Sequence, residues 1–184
     1  MKRITLVFLI ILTFSTSVFA AKQKKFCYDD MCFDSKGWKN IQTGKDQNTM
    51  NSFITSAKAV AGGYGGIAVF TILKIKPTEQ ISIEDYAEKR FHEQIASYND
   101  SKNSNSSKLT IVAQEGLAPF IVNNLKAKVF GLKGKQGIAN IYQRVFIFEK
   151  NGYFFEIQTT SNSLDSKNHT KLFLQILNTF TFEP

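Results

Sequence analysis

Apolar and polar positions change rhythm several times along this chain. Strict alternation marks β-strands, and a three-to-four spacing marks amphipathic helices. From Ile67 to Ile75 the alternation places Ile67, Val69, Thr71, Leu73 and Ile75 on one face of a strand. Lys76-Pro77 ends it. Residues 52–60 read as the strand before it, with Gly62-Gly63-Tyr64-Gly65-Gly66 as a turn. The period then shifts. Ile83, Tyr86, Ala87, Phe91 and Ile95 recur at helical spacing and predict a helix over about 82–98. Ser82 with Asp85 approximates a capping box at its start. The polar stretch 99–107 (NDSKNSNSS) predicts a loop.

Four strand-like segments follow, at about 108–115, 123–132, 138–150 and 153–161. Residues 134–137 (GKQG) read as the joint between the second and third. Asn151-Gly152 is the strongest hairpin signal in the chain. A last helix is predicted over about 164–179, with Leu172, Phe173, Ile176, Leu177 and Phe180 as its apolar face. Strand 138–150 is apolar on both faces, Ile141, Val145 and Ile147 on one and Tyr142, Phe146 and Phe148 on the other. Such a strand calls for cover on both sides. Residues 34–51 are polar and turn-rich around Trp38. The fold class expected is α+β, an antiparallel sheet of about six strands with helices covering its faces. A small disulfide-closed hairpin precedes it. No internal repeat or linker interrupts residues 21–184, which read as one domain.

Residues 1–20 follow a different pattern. Lys2 and Arg3 precede an apolar run from Leu6 to Phe14, and Val18 and Ala20 stand at the −3 and −1 positions of a cleavage site. This reads as a secretory signal peptide. The run is shorter than the ~20 apolar residues a spanning helix needs, and no other segment approaches that length. The expected location is periplasmic or secreted, after cleavage near Ala20. No lipobox precedes a cysteine.

Export changes the reading of the two cysteines. Cys27 and Cys32 lie in the stretch Phe26-Cys27-Tyr28-Asp29-Asp30-Met31-Cys32-Phe33. With Asp29-Asp30 as a two-residue turn, Tyr28 faces Met31 and Cys27 faces Cys32. That would be a non-hydrogen-bonded pair, with Cα atoms about 4.5 Å apart. In an oxidising compartment the expectation is a structural disulfide. A redox pair or a metal site are the alternatives. The C-x4-C spacing and the flanking carboxylates, which raise a thiol pKa, weigh against the first. The lack of nearby histidine weighs against the second.

Removing Lys2 and Arg3 takes the formal charge from +8 to +6. No compact run of like charges occurs, so the lysines read mainly as solubilising. The candidate patch for an anionic partner is Lys126 and Lys128 on one strand face, with Lys133 and Lys135 near the strand's end. Its bland counterpart is a charged edge strand. Nucleic acid is not an expected partner of an exported chain whose aromatic strands carry one arginine, Arg144.

Enzyme signatures are absent: no G-x-S-x-G, no H-E-x-x-H and no P-loop. His92, four residues after Glu88, reads as half of a solvated pair, and His169, beside Asn168 and Lys171, as exposed. Glu84, Asp85, Glu88 and Glu93 spread around their helix and read as a solvated face. No catalytic residue, cofactor or metal is expected.

The element order is similar to the PsbP-like fold. The residues that carry the resemblance are Gly37-Trp38 and the helix start Ile83-Glu84-Asp85-Tyr86-Ala87. The hairpin from Tyr142 to Ile157 and the ending from Phe173 to Phe182 complete it. That fold is shared by the extrinsic PsbP subunit of photosystem II, a eukaryotic Ran-binding nuclear import factor and many small exported bacterial proteins. The resemblance implies a non-enzymatic role in binding or assembly. It does not imply photosynthesis or Ran binding. Fold alone does not fix function. The expected function is that of a small exported binding or accessory protein whose partner is another envelope or extracellular protein, or else an anionic surface. One alternative is a carrier of a small apolar ligand, with Phe130, Tyr142 and Phe154 lining its pocket. A hydrolase built on Glu88 and His92 is the other.

Overall fold

The computed structural model describes residues 25–46, 51–60, 66–99, 109–122, 124–136, 139–162 and 166–183. The expected signal peptide, positions 62–65 of the glycine turn and positions 100–107 of the polar loop lie outside the described residues. In chain order the elements are β1 (Lys25–Tyr28), β2 (Met31–Asp34), β3 (Lys39–Lys45), β4 (Ser52–Ala59), β5 (Ile67–Ile75) and α1 (Ile83–Asn99). There follow β6 (Leu109–Val122), β7 (Leu125–Gln136), β8 (Ala139–Lys150), β9 (Tyr153–Ser161), α2 (Ser166–Thr179) and β10 (Thr181–Phe182).

Seven strands form one antiparallel sheet in the order β3-β4-β5-β9-β8-β7-β6. The hairpin β1-β2 is separate and gains β10 as a third strand. This is the expected α+β class, with one more strand in the main sheet than the sequence suggested. The extra strand is β3, whose polar run offers only Ile41 as an apolar anchor. Residues 134–137 were expected as a joint, but β7 continues through Gly134, Lys135 and Gln136, which pair with Ile141, Asn140 and Ala139 of β8. Backbone pairing on both sides outweighs the weak strand propensity of glycine there. β6 runs past its expected end to Val122 through two bulges.

α1 and α2 cover opposite faces of the sheet. Ser82 Oγ accepts from Asp85 N at 3.1 Å and donates to Asp85 Oδ2 at 2.7 Å, so Ser82 caps the helix without the reciprocal backbone bond of a full capping box. α1 places Ala87 and Phe91 on Phe130, Val145 and Ile147. α2 sits on the other face, with Phe173 4.7 Å from Phe146 between ring centroids. The small sheet packs on that same face beside α2. Phe33 meets Phe70 edge-on at 4.9 Å, and Phe182 meets Phe155 at 4.8 Å. The main core therefore lies between the α2 face of the large sheet and a second layer made of α2 and the small sheet. Aromatic pairs at such spacings add about 0.5–1.5 kcal/mol each beyond area burial.

The hairpin is as expected, with Cys27 opposite Cys32 and Tyr28 opposite Met31. Asp29 adopts φ 57°, a left-handed conformation that Asp tolerates better than most residues. The turn is tied to the sheet by Lys74 Nζ, 3.0 Å from Asp29 Oδ2 and 2.9 Å from Asp30 Oδ1. Glu183 N donates to Asp30 O at 3.1 Å, which fixes the chain's last described residues to the same turn. Among the described residues no helix is long and apolar enough to cross a membrane.

Candidate functional site

The alternation in β5 exposes an unusual surface. The residues that share one face in the sequence, Ile67, Val69, Thr71, Leu73 and Ile75, are not the buried set. Ala68, Phe70 and Ile72 are fully buried on the opposite, α2 face. Val69 stands opposite Ala57 and Leu73 opposite Phe53 of β4. These residues belong to the α1 face, but α1 packs chiefly over β6, β7 and β8 and reaches β9 through Tyr86 and Arg90. Phe53, Val69, Leu73 and Ile75 are therefore only half-buried, and Ile67 is 48% exposed. The outer face of an antiparallel sheet is ordinarily polar. This one is apolar, interleaved with Thr55 and Thr71, whose hydroxyls lie 3.1 Å apart.

The border of α1 is held by a buried charge. Glu156 of β9 has no solvent exposure. Tyr86 Oη and Arg90 Nε each donate to its Oε1 at 2.6 Å, and Gln158 Nε2 donates to Oε2 at 2.7 Å. Burial, followed by the charge of Glu156, pushes the Tyr86 phenol far above its ordinary range. Tyr86 also stacks on Phe154 at 4.3 Å. With three side chains donating to it, this carboxylate clamps helix to sheet.

A groove opens at the other end of the sheet, on the α2 face. It holds about 210 Å³ and is lined by Glu115, Leu132, Lys133, Tyr142, Arg144 and His169, among others. Glu115, Gly131 and Arg144 stand in one row across β6, β7 and β8. Gly131 is what lets Glu115 cross that row, since a Cβ there would come within 2.7 Å of Glu115 Oε2. The carboxylate reaches Arg144 Nη2, at 3.1 and 3.0 Å from its two oxygens. Lys133 Nζ lies 5.3 Å from the Tyr142 ring centroid, within reach of its π face. His169 is 2% exposed, contrary to the exposed position expected from its polar neighbours. Its Nε2 lies 3.0 Å from Thr159 Oγ1. Burial, then the charge of Arg144, pushes its pKa down to about 4. Ser161, opposite Tyr142 on β9, carries a buried hydroxyl with no partner among the described residues.

The residues expected to form sites are distributed differently. Cys27 and Cys32 form the disulfide, with Cα atoms 4.1 Å apart. Glu183 brings a carboxylate near both sulfurs, but the disulfide leaves no thiolate to join it. The four lysines do not form one patch. Lys128 lies on the α1 face, 3.0 Å from Glu84, and Lys126 shares that face by alternation. Lys133 lies on the opposite face with Tyr142 and Arg144, and Lys135 shares its parity. The separation of Lys128 from Lys133 is odd, so the pleat sends them to opposite sides. Nor is β7 an edge strand, because β6 lies outside it. The three candidate pocket residues also part. Phe130 packs under Phe91 and Phe154 under Tyr86 on the α1 face, while Tyr142 lines the groove on the other. His92 and Glu88 are a solvent-exposed pair 3.8 Å apart, as read from the sequence. The groove's buried His169 was legible in principle, because extending the stripe Leu172, Phe173, Ile176 back by one turn lands on it.

No protein-family model matches the chain, and no curated protein matches it. Solved structures similar to it include PA94 of Pseudomonas aeruginosa, a protein of unknown function. That likeness has 10% identity, covers 79% of this chain and 99% of the other, and has a TM-score of 0.48. LpqN of Mycobacterium tuberculosis, involved in cell envelope biogenesis, is 13% identical over 80% of this chain and 79% of its own, at 0.42. The cyanobacterial PsbP of Synechocystis is 10% identical over 78% and 92%, at 0.44. The last of these bears the name of the PsbP-like fold that the sequence resembles.

Proposed function

We propose that this chain is a small exported, non-enzymatic binding protein that holds a partner protein against the open face of β4 and β5. One observation carries the reading. Phe53, Val69, Leu73 and Ile75 form a half-buried apolar surface beside the strands over which α1 chiefly packs. Contiguous apolar surface of this kind marks interaction sites in soluble proteins. The Cys27–Cys32 bond supports an oxidising compartment, and the pattern of residues 1–20 supports export into it. The buried carboxylate, Glu156, is engaged by Tyr86, Arg90 and Gln158. The Glu88–His92 pair is open to water.

A photo-crosslinking residue at Thr71 tests the reading when the protein is produced in its own cells. Thr71 lies in the middle of the open face. A discrete adduct from position 71, and none from an equivalent label at Glu88 on the exposed side of α1, is the expected result. Equal or absent labelling from both positions rejects this face as the binding surface.

A further inference from the structure

We infer that the groove between β6, β7, β8 and α2 is a binding site for a small organic acid, whose carboxylate is held by Lys133 and the unused donors of Arg144. This site lies on the α2 face of the sheet, opposite the surface proposed for the protein partner, and does not depend on it.

The charges leave room for one anion. Lys133 and Arg144 supply two positive charges, and Glu115 supplies one negative. Glu115 does not take the guanidinium fork to fork. Both of its oxygens meet Nη2 alone, and among the described residues no acceptor meets Nε or Nη1. Arginine binds a carboxylate best through two parallel N–H donors, and that geometry is still open here. Lys133 has only the face of Tyr142, with no carboxylate partner among the described residues. The walls favour an organic body over a bare ion. Tyr142 offers a ring and His169 a neutral imidazole. The volume of about 210 Å³ is somewhat larger than the ~150 Å³ cavity that takes up a benzene ring. That is space for a compact acid rather than for a lipid chain.

Glu115 behaves as an internal competitor in this arrangement. It is 65% exposed along its side chain and sits on the outermost strand. It reaches Arg144 only because Gly131 has no side chain. Neutralising it, or pushing it aside, frees Nη2 and removes the one negative charge that opposes a ligand.

Benzoate serves as the probe, with inorganic phosphate as the charge-only comparison. NMR follows the imidazole signals of His169 and the ring of Tyr142, with exposed His92 as the internal reference. Benzoate should shift His169 and Tyr142 saturably and raise the His169 pKa, leaving His92 unmoved. Glu115→Gln should tighten benzoate by about tenfold, the worth of one charge-assisted hydrogen bond. Gly131→Ala should act in the same direction. Lys133→Gln, at an exposed position that needs no refolding of the core, should weaken binding by a similar factor. Three results would overturn the assignment. One is a non-saturating shift that moves His92 as much as His169. Another is phosphate binding as tightly as benzoate, which would make the site a reader of charge only. The last is an unchanged or weakened affinity in Glu115→Gln.

Discussion

Arg90 Nε donates to Glu156 Oε1 at 2.6 Å, across the boundary between α1 and the sheet. Glu156 is fully buried, so the attraction is not dispersed by water. Its value lies chiefly in what happens when one member is lost. An unpartnered buried charge costs about 3–5 kcal/mol. Arg90→Ala should lower the unfolding free energy by about that amount in urea titrations, and Glu156→Ala by less, because Arg90 is a quarter exposed and keeps Glu93 at 2.7 Å. The double variant should cost clearly less than the sum of the two, because the residues share one network. Strict additivity would mean that the two side chains act independently.

His169 governs acid stability over a defined window. In the fold its pKa is pushed down to about 4, against 6.5 for the free side chain. Between those values the unfolded chain takes up a proton that the native state refuses. Stability therefore falls as pH drops from about 6.5 to about 4, and is fully present above that range. The gap corresponds to about 3 kcal/mol when fully expressed. Denaturation midpoints measured across this window should fall for the wild type and change less for His169→Gln. Asp29 acts lower on the scale. Burial raises its pKa, but the hydrogen bond and charge of Lys74 more than offset that and hold it below its ordinary value. Its contribution is lost as pH falls below the carboxylate range. An equally steep profile in His169→Gln would assign the slope to another group.

Adjacent residues of β5 should respond very differently to substitution. Phe70 is fully buried against Phe33 and Trp38, and Phe70→Ala should cost about 3–5 kcal/mol. Val69, one residue earlier, lies on the half-covered face. Val69→Thr should cost less than about 1 kcal/mol, the full span of strand propensities. Chemical denaturation of both variants checks the contrast, and comparable losses would mean that Val69 is structural.

The disulfide should have a modest effect on equilibrium stability. Cys27 and Cys32 are five residues apart, and closing so short a loop is worth roughly 2 kcal/mol on the chain-entropy account. Replacing both by serine should lower stability by about that amount and leave the far-UV spectrum unchanged. Complete unfolding would give the bridge a larger role than its loop length explains.

These contrasts show what sequence could and could not convey. The strand Ile67–Ile75 was legible in its limits, but not in its orientation. Its two faces are Ile67, Val69, Leu73, Ile75 and Ala68, Phe70, Ile72, both apolar. Alternation cannot rank two apolar faces, and only the placement of the covering helices does so. The Asn151-Gly152 hairpin was legible because left-handed backbone at both positions, φ 54° and 74°, demands those residue types. The hairpin's register followed from its two-residue turn. The groove was not legible. Glu115, Gly131 and Arg144 are distant in sequence and meet only through strand pairing. The four lysines are close along one strand but not in space, because an odd spacing divides them between faces.

The third strand of the small sheet sets an order of assembly. Thr181 and Phe182 pair with Cys32 and Met31, so a segment near the start of the described chain waits for one near its end. A chain emerging at about 5–20 residues per second takes on the order of ten seconds to deliver that partner. Until then the hairpin has two strands, which are marginal in water on their own. The cystine lies within those two strands and needs nothing that emerges later. It can keep the hairpin in register through the interval.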